Sequence, residues 1–188
     1  MDRRMIIGAS MGNCVHVAGV AHFLNLAEDQ GYRTVYAGPA VKVDAIIEQA
    51  GKLNADIVAL SYRLTPENVV PLVEELREKS KTLTQKPVWV FGGTAPVAAV
   101  VEKLGFFDKI FDSTEDIDDC IAYLRGVQRG DLYIFTHPEF KDGIRAKYES
   151  MMRAYPTDQK PDPDREYIFK NFFTFLTNNP IYLTQEQR

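Results

Sequence analysis

Histidine and cysteine are scarce, with three and two among 188 residues. So few cannot build a Cys/His zinc cage, and two cysteines do not make a disulfide framework. Nowhere does an apolar run approach the roughly 20 residues needed to span a bilayer, so no membrane role is expected. Basic residues are not in excess: Lys and Arg number 22 against 26 Asp and Glu, for a net charge of −4. No basic face for nucleic acid is implied. No phosphate-binding GxGxxG or P-loop spacing occurs, which weakens nucleotide readings. Met1-Asp2-Arg3-Arg4 leads into a short apolar strand rather than a signal sequence, so a cytoplasmic location is expected. No internal repeat is visible. With so few metal-ligating side chains, the position of each histidine matters.

Apolar residues make up 45% and charged residues 26%, the mix of a globular protein. The mix is uneven along the chain. Residues 1–126 carry 13 Lys/Arg against 17 Asp/Glu and hold the whole −4; residues 127–188 carry 9 of each. The aromatics split 10 and 11 across the same division, so the last third is about twice as aromatic per residue. We therefore expect a domain over 1–126 and a helical, aromatic-rich extension over 127–188.

Short apolar runs alternate with helical spacing through the first part. Strands are expected at Met5–Ala9, Arg33–Ala37, Asp56–Leu60, Pro87–Phe91 and Lys109–Phe111. Helices are expected over Val17–Asp29, stopped by Gly31, over Val43–Leu53, from Pro66 with Thr65 as N-cap, over Ala95–Leu104, and over Glu115–Leu124 with Ser113 or Thr114 as cap. The third helix should bury Val69, Leu72, Val73 and Leu76. Alternation of this kind predicts an α/β fold with a five-stranded parallel sheet covered on both faces. The flavodoxin-like (Rossmann-type) order 2-1-3-4-5 is expected, with ligands at the carboxyl ends of the strands. The working loops are then Ser10–His16, Ser61–Thr65 and Gly92–Pro96.

The first loop reads Asn13-Cys14-Val15-His16-Val17-Ala18-Gly19, the third Ser61-Tyr62-Arg63-Leu64-Thr65-Pro66, and the fourth Gly92-Gly93-Thr94. An imidazole at the top of the sheet can ligate a metal, act as acid or base, or cap the helix. Each feature also has a plain structural reading. His16 could be a capping or surface histidine, Cys14 a small loop residue, Ser61 and Thr65 caps, and Gly92-Gly93 a tight turn. His22 reads as structural or surface, and His137 has no visible partner.

Taken together, the three loops resemble the cobalamin (vitamin B12)-binding domain family, over roughly residues 4–126. That family carries DxHxxG in the first loop, Ser often running into Thr-Pro in the third, and Gly-Gly in the fourth. The Ser61…Thr65-Pro66 form is similar to the methionine synthase module. The resemblance implies cobalamin bound base-off, with the corrin over the strand ends and the benzimidazole tail in a cleft beside strand one. It implies His16 as the lower cobalt ligand, the one metal-binding residue. Asn13, Cys14, Gly19, Ser61, Leu64, Thr65, Gly92, Gly93 and Thr94 would line the cofactor, and Asp112, Ser113 and Thr114 would reach the tail's outer end. The family's Asp, which accepts the other ring N–H of the histidine, is Cys14 here. A thiol is a poorer acceptor, so Asn13 or a backbone carbonyl is the candidate substitute. A cobalt that is five-coordinate or water-ligated below stays open.

In the extension, a helix is expected over Lys141–Tyr155, a Pro-rich linker over 156–163, and a helix over Arg165–Thr177 carrying Tyr167, Phe169, Phe172, Phe173 and Phe175. So many aromatics need a partner surface: the first domain, a second copy in a homodimer, or another subunit. The expected function is to present the corrinoid to a separate substrate-binding protein or domain. The first reading is a methyl carrier using methylcobalamin, the cofactor-carrying component of a methyltransferase rather than a complete enzyme. The second is the small subunit of an adenosylcobalamin-dependent mutase (an isomerase), which the chain's start directly at strand one resembles. The third is a non-enzymatic corrinoid sensor or store. No catalytic side chain is assigned.

Overall fold

The computed structural model describes residues 4–131 and 141–155, together with Tyr167. Five parallel strands form one sheet in the order β2-β1-β3-β4-β5. They are β1 Met5–Met11, β2 Arg33–Val41, β3 Ile57–Tyr62, β4 Val88–Gly93 and β5 Lys109–Phe111. The connecting helices are α1 Ala18–Asp29, α2 Val43–Lys52, α3 Pro66–Ser80, α4 Ala95–Leu104 and α5 Ile117–Arg129. This is the flavodoxin-like α/β fold expected from the sequence. A first compact unit runs to Ile121, inside α5. In the extension, α6 spans Lys141–Arg153, where a helix is expected, and buries none of its residues. The readings placed on His137, the 156–163 linker and the aromatic helix at 165–177 lie outside the described residues, Tyr167 excepted.

Alternation along the strands sorts the side chains into two faces. Ile7, Ala9 and Met11 of β1, Val58, Leu60 and Tyr62 of β3, and Trp89 and Phe91 of β4 join one core with Val43, Ile46, Val69, Val73, Leu76, Val97 and Val101 of α2, α3 and α4. Gly8 faces the other way: a Cβ there would stand 2.7 Å from Leu24 Cδ1 and 2.9 Å from Val20 Cγ2 of α1. The second face is therefore covered by α1, which buries Val20, Phe23, Leu24 and Ala27.

Three local expectations need correction. Strands β1, β3 and β4 run two residues past their expected ends, because their last residues still pair with neighbours: Ser10 with Ser61, Ser61 with Gly92, and Tyr62 with Gly93. Strand β2 runs past its expected end at Ala37, through Gly38-Pro39-Ala40 to Val41. An edge strand tolerates a missing N–H, and Gly38 and Ala40 take positive φ there (120° and 52°). Helix α5 begins at Ile117, not Glu115. Asp116 Oδ1 accepts from Asp119 N–H (2.9 Å) and Asp119 Oδ2 from Asp116 N–H (3.3 Å), a reciprocal cap that leaves Ser113 and Thr114 to other partners.

Gly12 turns the chain after β1. Its φ is +67°, and a Cβ would lie 2.4 Å from Leu72 Cδ1. Gly12→Ala should lower the unfolding free energy by about 1–3 kcal/mol, seen as a reduced urea midpoint at unchanged slope. A midpoint equal to that of the parent would refute this account of the turn.

Candidate functional site

Small residues on the α1 face open the site. At the carboxyl ends of β1, β3 and β4, that face carries Gly8, Ala59, Ser61, Val90 and Gly92, while the opposite face carries Met11, Tyr62 and Phe91. Where side chains are missing beneath α1, a cleft of about 200 Å³ remains. Its lining is mostly apolar: Val20, Phe23 and Leu26 of α1 stand across from Ala59, Val90 and Phe111 of the sheet. Phe23 and Phe111 form a tilted aromatic pair with ring centroids 5.9 Å apart. Polar groups gather at the rim: His16, His22, Arg63, Ser113, Glu115 and Cys120.

The sequence-predicted residues divide in the structure. His16, Gly19, Ser61, Gly92, Gly93 and Ser113 all border the cleft. Gly19 and Gly92 have nothing within 4 Å of a Cβ position, so both leave open space that a side chain would fill. Gly93 is different: a Cβ there would meet Phe91 Cε1 at 2.9 Å and the Tyr62 carbonyl at 3.0 Å, so its smallness serves packing. Ser113 holds a positive φ of 78° and donates its hydroxyl to the Gly93 carbonyl (2.7 Å), tying the loop after β5 to the end of β4.

The others stand outside the lining. Leu64 packs against the core on the α2–α4 side. Thr65 and Thr94 occupy the N-cap positions of α3 and α4, in extended backbone and without a side-chain capping bond. Asp112 accepts from the N–H (2.9 Å) and hydroxyl (2.6 Å) of Thr114. These bonds hold its carboxyl below the usual range. Asn13 borders a second, more open depression with Gly12, Lys42, Asp44 and Glu75. Its amide oxygen accepts from the buried Tyr62 hydroxyl at 3.3 Å. Burial, and next to it Cys14, raise the Tyr62 pKa and keep that donor protonated. Cys14 is completely buried, with its sulfur 3.7 Å from His16 Nδ1.

The loop that carries His16 is fixed from several sides. Gly12 N–H donates to Val41 O (2.8 Å), Cys14 N–H to Met11 O (3.1 Å) and Ala40 N–H to Cys14 O (2.9 Å). The buried Ser10 hydroxyl donates to the His16 carbonyl at 2.8 Å and pairs with Ser61 Oγ at 3.1 Å. Among the described residues, Ser10 and Ser61 are the buried polar side chains, and their bonds hold this loop. At the far rim, Glu115 accepts from Asp112 N–H (3.0 Å). The Cys120 thiol is pushed up by burial and then by the Glu115 carboxylate, so it stays protonated at neutral pH.

Sequence reasoning missed Ser10, the α1 residues Val20, Phe23 and Leu26, and the far wall of Phe111, Glu115 and Cys120. The signal for the hollow was the alternation Gly8-Ala9-Ser10-Met11, Ala59-Leu60-Ser61-Tyr62 and Val90-Phe91-Gly92, in which every second residue is small. The α1 wall follows from the helix stripe at 20, 23, 24 and 27 once that face is assigned.

Among the described residues, no group of three or more His, Cys, Asp or Glu could hold a metal ion by itself. No described helix is long and apolar enough to cross a membrane.

Solved structures share this fold. A novel cobalamin-binding protein from Desulfitobacterium hafniense DCB-2 superposes with a TM-score of 0.55 at 24% identity, over 68% of this chain and 59% of that one. The monomethylamine corrinoid protein of Methanosarcina barkeri gives 0.52 at 21% identity, over 67% and 58%. This chain thus spans less than two thirds of either protein, and at these identities the likeness is one of fold. No curated protein matches the chain. Residues 4–121 match the family model of the B12 binding domain, well over half of the sequence, and the chain belongs to the B12-binding domain family.

Proposed function

We propose that this chain binds cobalamin base-off, with His16 as the lower cobalt ligand, and presents it to a separate substrate-binding protein or domain. The observation that carries the reading is the position of His16 at the lip of an apolar cleft floored by Ala59, Ser61, Val90 and Gly92. A planar heterocycle suits such a slot, since Phe23 and Phe111 offer aromatic surface and Gly19 and Gly92 leave space. The neighbouring lip is apolar and open: Val15 is 64% and Val17 37% exposed, a surface suited to the underside of a macrocycle. The scarcity of ligating side chains fits as well, because a corrin brings four nitrogens and needs one imidazole from the chain.

A bound corrin would supply the alkyl-transfer chemistry of its cobalt. His16 would hold the metal, the Ser10–Ser61 pair fixes the His16 backbone, and the cleft would shelter the tail from water. In this reading substrate recognition falls to the partner. Of the reactions open to such a carrier, we favour methyl transfer with methylcobalamin, on the likeness of Ser61…Thr65-Pro66 to the methionine synthase module. Residues 1–126 form the cofactor domain in this reading.

Purified protein mixed with hydroxocobalamin should turn red and keep the pigment through gel filtration; a colourless protein peak would end the proposal. A Cβ at Gly92 has nothing within 4 Å, so Gly92→Val should fold, with its side chain taking up space in the cleft. It should weaken cobalamin binding about tenfold or more, measured by titration of the visible spectrum. Unchanged affinity would remove the cleft from the binding site. Methylcobalamin should bind at least as tightly as adenosylcobalamin, and a marked preference for the adenosyl form would favour the mutase reading instead.

A further inference from the structure

The backbone and the ring of His16 are held unequally. Its carbonyl is fixed by the buried Ser10 hydroxyl, which is itself paired with Ser61 on the adjacent strand. The residues before it are tied to β1 and β2 by backbone bonds from Gly12, Cys14 and Ala40. Asn13, the candidate substitute acceptor in the sequence, has its amide oxygen bonded instead by the Tyr62 hydroxyl. Among the described residues the ring's partner is Cys14, whose sulfur lies 3.7 Å from Nδ1.

A thiol is a weak and ambivalent partner. With the proton on Nδ1, the ring donates to sulfur, a poor acceptor, and Nε2 keeps the lone pair a metal needs. With the proton on Nε2, the thiol donates to Nδ1 and the ring has no lone pair facing out. A carboxylate would enforce the first arrangement, as the outer partner of a metal-bound histidine ordinarily does. A neutral thiol enforces neither.

We propose that Cys14 is a positioning residue that makes His16 a displaceable cobalt ligand, its ring exchanging between bound and released forms while its backbone stays pinned. The proposal rests on the reading of His16 as the lower ligand and adds that this ligand is labile. Release and return of the ring would then need little chain rearrangement, because the His16 backbone is pinned and only its side-chain torsions would change.

The test is electron paramagnetic resonance of the full chain loaded with cob(II)alamin, with its histidines labelled with nitrogen-15. A nitrogen-15 ligand splits the cobalt lines into doublets, whereas the cofactor's own nitrogen base gives triplets, so the two are told apart. The wild-type protein should give a mixture of spectra with and without doublets. Cys14→Asp should raise the ratio of His-bound to released cobalt about tenfold. Because an aspartate at a fully buried position can impair folding, Cys14→Ser serves as the second variant; its hydroxyl is a better acceptor and should raise the ratio in the same direction. A wild-type spectrum that is wholly doublet, or a ratio unmoved in a folded Cys14 variant, overturns the proposal while leaving His16 as the ligand. If His16→Ala keeps the pigment and the wild-type spectrum, the ligand reading itself fails and takes the proposal with it.

Discussion

An asymmetry across the sheet governs the site. Near the carboxyl ends of β1, β3 and β4, one face carries Met11, Tyr62 and Phe91 and the other carries Ser10, Ser61 and Gly92. The large side chains are completely buried against α2, α3 and α4, each contributing on the order of 2 kcal/mol of apolar burial. The stability of the strand ends therefore comes from one side only. The other side can remain hollow without unravelling the strands, and the hollow is the cleft. A parallel sheet buried on both faces usually reads as unbroken large apolar runs. Here every second position departs from that pattern at the ligand-facing end and nowhere else.

The hollow would be of little use if the loop above it moved. Ser10 solves this from inside the sheet: a hydroxyl at a fully buried position must find a partner or cost about 1–3 kcal/mol, and the partners it finds are the His16 carbonyl and Ser61. The polar pair thus converts a burial penalty into a constraint on the loop. Ser113 does the same at the other rim, holding a left-handed backbone that ordinary residues avoid while bonding to Gly93. Both walls of the cleft are fixed by hydroxyls, and its interior is left to apolar contact.

The element order and strand pairing were legible in the sequence because five apolar runs and five helical stripes alternate without interruption. Boundaries were less so. Gly38-Pro39 has the composition of a turn and forms part of an edge strand, because nothing pairs with the missing N–H. Asp116 and Asp119 cap α5 where Ser113 and Thr114 have the conventional residue types. In the site, the residues with a chemical signature stood out: His16, Ser61 and the glycines. Ser10 did not, since its importance lies in being buried, a property fixed by strand parity. Phe23 and Phe111 did not either, because they meet across the sheet from positions 88 residues apart in the chain.

The run Gly38-Pro39-Ala40 has a further effect. An exposed outer strand normally offers a row of free backbone donors and acceptors to any extended segment that drifts by. On β2 that row is broken: one donor is absent at Pro39, and two residues with positive φ throw the flanking groups out of line. The opposite border of the sheet is a strand of only three residues. Among the described strands, neither border is an open template for another chain to lengthen the sheet. For the carrier role proposed above, that leaves the cofactor face rather than the backbone edge to meet a partner.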